Sequence, residues 1–527
     1  MSNLLDLASI VLTPTAYNNG EALCIKPDDA SGDFQFSRNS AATRVNAQGL
    51  VENVQILSSN LVTNGDFDTD SDWTKGTGWS ISDGKAVAVS GTSSKLTQSI
   101  SGLSGKKCSV TFTLSNYGGN GTIKLDFGSL VGQDRNANGT YTEVGTYDID
   151  RLEFFKNSSF SGSIDNVSVI EITTDTSLPR INYEGFSYDG SGNVVPDSGC
   201  GSWLWEPQST NLITQSELFS DATWTKVGGG AADDTIITSN YATSPDGTNN
   251  ASRAQFNAVG TANGDRANLY ANINVTSGQT FTMSFYGKSA TATNEEVVLR
   301  MGSVQQVSVT LTQEYQRFSH TYTVTSSGAK NFGIQIRGNS AVTSADIIIW
   351  GFQVEQQSYA TSYIPTSGST VTRNQDVCTN GGSLASINST EGVLYAEIAA
   401  LADDLTLRSI SLSDGTTNNV ATIRYRTNSN RIQVVVFNGG VLQFSNSFDV
   451  TNILDFNKVA ISYNQSDFNY WVNGVKRANS TSGNTPIGMN KLSFDNGGSH
   501  PFFGKTKALA VWKEALSDQE LAELTTI

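Results

Sequence analysis

The chain has 527 residues, too many for one hydrophobic core, and a prior of about 150 residues per domain predicts three or four domains. Hydrophobic residues make up 37% of it and charged residues 16%, with 49 glycines against 4 methionines, a composition typical of short strands and tight turns and not of helical proteins. The formal charge of −16, from 33 basic and 49 acidic residues, disfavours binding to nucleic acid, and simple solubility explains much of it.

The N-terminus shows no export or membrane signal. Its apolar stretch lacks a basic flank and is interrupted by Asp6 and Pro14, and no later run reaches the roughly 20 apolar residues of a membrane span. We therefore expect a protein made and kept in a cytoplasm, without membrane insertion. The wide separation of the cysteines predicts reduced thiols, not a metal site or a disulfide framework. These cysteines are Cys24, Cys108, Cys200 and Cys378.

A sequence repeat marks the starts of two related domains. The stretch SSNLVTNGDFDTDSDWTK at 58–75 returns without a gap as STNLITQSELFSDATWTK at 209–226. Each copy continues in period-two segments, such as KCSVTFTLSN and QTFTMSFYGKS, punctuated by Gly, Ser and Asn. This pattern predicts two jelly-roll-like β-sandwiches, over 58–176 and 211–365. Because Trp73 and Trp224 occupy equivalent places in the repeat, we expect both in the cores.

A third folded unit is predicted over 381–527, after a linker at 366–380. It contains strand-like segments such as RIQVVVFNGG and FNYWVNGVKR. Ser517 and Glu520 have the spacing of a capping box, which predicts a helix near the C-terminus.

Two tryptophans precede the second sandwich. Trp203 and Trp205 alternate in WLWEP, which places both on one face of a strand. There they would cover a neighbouring domain or a partner subunit.

Three stretches resemble the linking elements of bacteriophage tail-fibre and appendage proteins. In such proteins these elements usually follow one another around a carbohydrate-binding-type module, so the first sandwich resembles an insertion. The resemblance implies a β-rich N-terminal attachment or oligomerisation segment at 1–57 and a connecting β-segment at 177–210. The three stretches are DFQFSRNSAATRVNAQGLVENV at 33–54, LPRINYEGFSYDGSG with GSWLWEPQSTNLI within 178–213, and SYATSYIPTSGSTVTRNQDV at 358–377.

The sandwiches themselves resemble known modules. Asn64–Phe67 and Asp165–Val169 match the opening and closing elements of jelly-roll carbohydrate-binding modules, and IIIWGFQVEQ is a similar closing strand in the second copy. YWVNGVKR and FFGKTKALAVWKEALSDQELAEL resemble laminin-G/concanavalin-like sandwiches. We therefore predict an all-β, multidomain protein: the N-terminal segment, two jelly rolls and a laminin-G/concanavalin-like sandwich.

The acid-rich run at 66–72 raises the question of a calcium site. It lacks the glycine and the glutamate of an EF-hand loop, so that site is not predicted. The module resemblance instead implies a structural Ca²⁺ between the first and last strands, with carboxylates from Asp66 and Asp165 beside backbone carbonyls. The alternative is a solvated turn without an ion.

Sugar binding needs flat aromatic faces together with polar groups for the hydroxyls. Tyr117, Tyr270 and Tyr286 are the candidate platform residues, and core packing is the alternative for each.

Catalytic motifs are not visible in the sequence. It has two histidines, and it lacks a GxSxG elbow, an HExxH helix and a phosphate-binding glycine loop. Two carboxylates for glycoside hydrolysis need only meet in space, so the sequence leaves that chemistry open. We predict a protein without enzymatic activity.

These features predict a structural component of a phage virion, a tail-fibre or head-fibre appendage assembled in the bacterial cytoplasm, whose lectin-like modules adhere to host-surface or environmental glycans. Other virion proteins are expected partners. The fibre resemblance favours a homotrimer, although no heptad run specifies one. Two alternatives stay open: a capsid-decoration or tail-joining protein that binds virion proteins, and a virion-associated polysaccharide depolymerase.

Overall fold

A computed structural model describes residues 2–183, 186–188, 194–196, 201–302 and 305–527, with the backbone alone at 2, 3, 186–188, 194–196, 305 and 306. Antiparallel strands dominate these residues, and the two helices they contain lie at the ends of the chain. The all-β prediction is confirmed. Neither helix is long and apolar enough to cross a bilayer. Cys200 lies outside the described residues, and the other three cysteines are free thiols.

The N-terminal region contains one helix and six short strands. They are α1 Ser2–Leu7, β1 Ile10–Leu12, β2 Tyr17–Asn18, β3 Glu21–Ala22, β4 Phe34–Ser37, β5 Thr43–Val45 and β6 Val51–Asn53.

The first sandwich consists of ten strands. They are β7 Ile56–Asn60, β8 Thr74–Lys75, β9 Trp79–Ser82, β10 Lys85–Ala88, β11 Ser94–Ser99, β12 Lys107–Ser115, β13 Ile123–Asp126, β14 Gly139–Thr146, β15 Arg151–Lys156 and β16 Gly162–Thr174. One sheet has the order β14-β12-β16-β10-β9, with β7 also on β16, and it faces the sheet β13-β15-β11-β8. Alternate side chains of β12 point into the core, as the period of two predicts.

Four short strands connect the first two sandwiches. They are β17 Ile181–Asn182, β18 Phe186–Tyr188, β19 Val194–Pro196 and β20 Ser202–Trp205.

The second sandwich pairs the sheet β22-β23-β30-β25-β28 with the sheet β24-β29-β26-β27, and β21 pairs with β31 where the unit begins and ends. The strands are β21 Ser209–Asn211, β22 Ile236–Ala242, β23 Ala251–Asn257, β24 Arg266–Val275, β25 Thr280–Ser289, β26 Glu295–Met301, β27 Gln305–Leu311, β28 Gln316–Thr323, β29 Gly328–Arg337, β30 Ser344–Glu355 and β31 Val371–Arg373.

Equivalent tryptophans close the cores of both jelly rolls. The indole Nε1 of Trp73 donates to the Asn64 carbonyl at 2.9 Å, and that of Trp224 donates to the Gln215 carbonyl at 2.9 Å. Both rings are buried, so the predicted shared core role is confirmed.

The third sandwich also takes in strands from earlier parts of the chain. Its own elements are β32 Val377–Thr379, β33 Glu391–Ala400, β34 Arg408–Ser413, β35 Val420–Tyr425, β36 Arg431–Asn438, β37 Val441–Asp449, β38 Asn457–Asn464, β39 Asp467–Val472, β40 Val475–Ser480, β41 Lys491–Ser493, β42 Gly504–Trp512 and α2 Asp518–Thr525. One sheet has the order β17-β20-β42-β33-β38-β39-β40, with β1 also on β42, and the other has the order β37-β36-β35-β34-β41. The capping box of α2 is confirmed, since Ser517 Oγ accepts from the Glu520 amide and Glu520 Oε2 accepts from the Ser517 amide.

The N-terminal and connecting segments are therefore integrated into the third sandwich. Ile10 lies opposite Val511 in the β1–β42 ladder, and the indole of Trp512 donates to the Leu4 carbonyl at 2.9 Å. Trp203 and Trp205 stack with ring centroids 5.7 Å apart inside the same core, so they cover a domain of their own chain. The attachment role assigned to residues 1–57 and the domain boundaries stay predictions.

A buried set of charges joins the three stretches that resemble phage linking elements. We call it the central ion cluster, and it consists of Arg38, Arg180, Glu206, Arg373 and Asp376. Arg38 pairs with Asp376 at 3.1 Å, Arg180 pairs with both Asp376 and Glu206, and Arg373 pairs with Glu206 at 2.5 Å. Burial opposes ionisation of Glu206, but Arg373, Arg180 and hydrogen bonds from Ser362 lower the pKa of this carboxyl to about 2.

Candidate functional site

Two of the three predicted platform tyrosines have packed rings. Tyr117 is half-buried, lies 6.1 Å from Phe160 and donates to the Gly121 carbonyl at 2.9 Å. Tyr286 is 4% exposed, with Trp350 at 5.5 Å and the Arg317 guanidinium at 5.4 Å from its ring. Because its ring is enclosed, Tyr286 does not present a face to a sugar and is not part of the candidate site.

The carboxylates predicted to bind calcium do not form an ion cage. Asp66 is exposed, and Asp165 accepts a hydrogen bond from the neighbouring Asn166 amide at 2.7 Å. Across the part of the chain that the structure describes, no three acidic, histidine or cysteine side chains gather as metal ligands. Ca²⁺ takes six to eight oxygen ligands, and the arrangement of Asp66 and Asp165 does not provide such a set. Calcium binding therefore stays a prediction.

Tyr270 lies on a distinctive polar surface, the outward face of the β24-β29-β26-β27 sheet. We call it the arginine face, and it consists of Arg266, Asn268, Tyr270, Arg300, Gln335 and Arg337. The alternate residues of the same strands, such as Ala267, Leu269 and Leu299, form the core. The period of two therefore directs the six polar side chains to the other side of the sheet.

Strand register brings these side chains together. Arg266 lies directly opposite Arg337, and Gly333 lies between Tyr270 on β24 and Arg300 on β26. Because Gly333 has no side chain, Arg300 reaches across it, and its guanidinium lies 5.2 Å from the centre of the Tyr270 ring. A β-carbon at Gly333 would lie 2.0 Å from the Leu269 carbonyl oxygen, so the position requires glycine.

Uncharged groups hold the three guanidinium groups in place. Arg266 Nε donates to the Asn263 carbonyl at 2.8 Å, and Arg337 Nη1 donates to Asn263 Oδ1 at 2.6 Å. With the Gln335 amide oxygen facing Arg337, that oxygen accepts from Nε at 2.8 Å and from Nη2 at 3.0 Å. Arg300 donates to the Gly302 carbonyl at 3.3 Å.

The arginine face carries positive charge that acidic side chains do not neutralise. Among the described residues, the ion pairs of arginines are made elsewhere, and none involves Arg266, Arg300 or Arg337. Burial lowers the pKa of Arg300 and of Arg337, and repulsion from Arg266 adds to both effects. Like charges directly opposite each other destabilise a sheet, and a bound anion would relieve this repulsion.

Sequence reasoning found Tyr270 but missed the arginines around it. They are far apart in the chain, so they form no basic cluster in the sequence. One signal was available in the sequence. Each arginine lies in a strand in which apolar core residues occupy the alternate positions, so its side chain is expected on the outward face of the sheet. That signal becomes decisive only when the strand register is known.

These features define a class of protein, a chain of β-sandwiches with a cationic sheet face on which the arginines and Tyr270 are half-exposed. No protein-family model and no curated protein matches the sequence. Similar solved structures include the CBM40 module of the Ruminococcus gnavus IT-sialidase bound to α2,3-sialyllactose, at 16% identity over 28% of this chain and 93% of that chain, with a TM-score of 0.24. The leech intramolecular trans-sialidase is 19% identical over 28% of this chain and 26% of that chain, with a TM-score of 0.23. Domains LG4-5 of the mouse laminin alpha1 chain are 10% identical over 47% of this chain and 88% of that chain, with a TM-score of 0.19. At these values the likenesses carry no functional inference.

Proposed function

We propose that the protein is a non-enzymatic glycan-binding protein whose arginine face binds the carboxylate or sulfate groups of an acidic polysaccharide. The observation that carries the proposal is the set of three guanidinium groups that have no carboxylate partner among the described residues, on a sheet face of a chain with net charge −16. Arginine binds carboxylate and sulfate-type oxyanions through paired, charge-assisted hydrogen bonds. Tyr270 offers a contact to the sugar ring, while the buried amides of Asn268 and Gln335 support the face from below.

In the wider proposal, this module is carried on a phage appendage and adheres to glycans of the host surface. That setting, together with assembly into a homotrimer, depends on the resemblance of the linking elements to those of fibre proteins. A single site of this kind binds weakly, and several copies on one particle raise the effective concentration. Adhesion by avidity requires no chemical step in the glycan.

The test is binding of the purified chain to immobilised polysaccharides by biolayer interferometry. Alginate presents carboxylates only, dextran sulfate presents sulfates only, and heparin presents both. We expect binding to at least one of them, weakened by salt because the contact is electrostatic. The double variant Arg300→Gln/Arg337→Gln is expected to lose about tenfold or more in affinity.

The matched control is Arg424→Gln, which removes a half-buried, amide-bound arginine from the third sandwich. It is expected to bind like the wild type. Absence of binding to all three acidic polysaccharides would overturn the proposal, as would equal binding by the double variant and the control. Tight binding to another virion protein without glycan binding would support the decoration alternative.

A further inference from the structure

A polar concavity lies between the first two sandwiches, away from the arginine face. It has a volume of about 330 Å³, at the small end of the range for small-molecule sites. We call it the inter-sandwich cleft, and its principal lining residues are Arg135, Tyr141 and Glu143 of the first sandwich with Glu217, Asn250 and Ser252 of the second.

The wall from the first sandwich is preorganised. Arg135 Nε donates to Glu143 Oε1 at 2.9 Å, and the same guanidinium lies 4.6 Å from the centre of the Tyr141 ring. The other carboxylate oxygen of Glu143 accepts from the Gln133 amide at 3.1 Å. A β-carbon at Gly132 would lie 2.1 Å from that oxygen, so glycine leaves the room that the carboxylate occupies.

The wall from the second sandwich is built around Glu217. Its Oε1 accepts from the Tyr363 hydroxyl at 2.8 Å, and its Oε2 accepts from Asn250 Nδ2 at 3.1 Å. Asn240 also lines the cleft, with a φ of 54°, inside the irregular part of β22 where the register with β23 shifts. Such bulges often redirect side chains beside binding sites.

Two buried polar atoms on this wall have no hydrogen-bond partner in the part of the chain that the structure describes. They are Oδ1 of Asn250 and Oγ of Ser252, and the Ser252 residue is only 1% exposed. Buried polar groups in folded proteins are nearly always hydrogen bonded, so these atoms point to a ligand or water in the cleft. Carboxylates, an amide oxygen and a hydroxyl together offer acceptors for several hydroxyl donors.

The exposed lining residues of the cleft include three apolar side chains. Leu130, Val131 and Val144 are 51%, 48% and 44% exposed. Apolar side chains beside acceptor groups suit the C–H face and the hydroxyls of a sugar ring. Glu143 offsets the charge of Arg135 and Glu217 supplies no positive charge, so the cleft does not attract an anionic ligand.

We propose that the inter-sandwich cleft is a second ligand site, which binds a neutral sugar of one or two rings. The site goes beyond the function proposed for the arginine face and does not depend on it. The sugar hydroxyls donate to Glu217, Glu143 and Asn250 Oδ1, and Ser252 Oγ completes its hydrogen bonding on the same ligand.

Saturation-transfer NMR on the full chain tests this site, with glucose, galactose, mannose and N-acetylglucosamine as separate probes and glucuronate as the anionic comparison. We expect transfer to at least one neutral sugar. At pH 8, where Glu217 is mostly ionised, Glu217→Gln and Ser252→Ala should each weaken this binding, with a loss of about tenfold for the carboxylate. Ser252→Ala removes a hydroxyl that has no hydrogen-bond partner among the described residues, so it is expected to leave the fold intact.

The control is Arg424→Gln in the third sandwich, which lies outside the cleft and is expected to leave transfer to the neutral sugar unchanged. The proposal is overturned if no neutral sugar receives saturation, or if binding survives in both cleft variants. Loss of neutral-sugar binding with retention of acidic polysaccharide binding would separate this site from the arginine face. Failure of the polysaccharide test alone would leave the cleft result standing.

Discussion

Glu217 shows at the scale of one residue how burial and neighbours set a charge. Burial, with a smaller contribution from Asp246, raises the pKa of this carboxyl from 4.5 to about 7, against the Tyr363 hydrogen bond and the attraction of Arg135. Between these two pH values the folded chain holds a proton that the unfolded chain releases. The contribution of Glu217 to the free energy of unfolding therefore falls as pH rises from about 4.5 through about 7.

The variant Glu217→Gln tests this linkage because glutamine imitates the neutral carboxyl. We measure the Tm of the variant and of the wild type by differential scanning fluorimetry. The difference, variant minus wild type, is expected to increase from pH 5 to pH 8. The exposed Glu296→Gln serves as control, with a Tm difference that does not change over this interval. A constant difference for Glu217→Gln as well would contradict the raised pKa.

Strand β1 shows at the scale of an element how a distant segment completes a sandwich. Its three residues are buried and pair with Leu509, Ala510 and Val511 of β42. A three-residue strand is too short to be stable by itself, so its place is set by the sheet that receives it. The N-terminus is therefore part of the stability of the C-terminal unit.

Leu12→Ala measures this contribution. Removing a buried leucine side chain is expected to lower the free energy of unfolding by about 2–5 kcal/mol. Hydrogen exchange should show the lost protection in β42 and β33, with the first sandwich unaffected. Leu7→Ala is the control, since Leu7 is 65% exposed and its loss should leave exchange unchanged. Loss of protection in the first sandwich instead would contradict the placement of β1 in the third sandwich.

The central ion cluster works at the scale of the whole molecule. Its five residues come from stretches separated by more than a hundred positions, and they meet where the N-terminal, connecting and linking segments converge. Buried charges are costly, and here each carboxylate has two arginine partners. The cluster therefore ties the sandwiches to one arrangement of their connecting segments.

Asp376→Asn tests that role, because it leaves Arg38 buried without a charged partner and removes one of the two partners of Arg180. We expect a loss of about 3–5 kcal/mol in the free energy of unfolding, together with faster proteolysis in the connecting segments. Asp449→Asn breaks an exposed pair with Arg431 and is expected to leave the Tm unchanged. Equal stability of the two variants would mean that the cluster does not hold the junction.

Several elements were predictable because their signals are local. Period-two alternation predicted the strands, the Ser517–Glu520 spacing predicted the cap of α2, and the repeat predicted the paired tryptophan cores. The motifs that resemble phage linking elements were also visible, but their shared physical role was not. Tyr270 as a sugar platform stays a prediction, and the contact of its ring with Arg300 was not predicted.

The sequence by itself determined the all-β class, the twin sandwiches and the terminal helix, because turn chemistry, alternation and capping each act within a few residues. Tertiary structure alone decided that β1 and β20 complete the third sandwich, that five distant charges share one buried site, and that Arg266, Arg300 and Arg337 share one sheet face with Tyr270. The reason is strand register: the choice of partner strand depends on the sum of many long-range contacts, and a shift of one residue would turn every side chain to the other face.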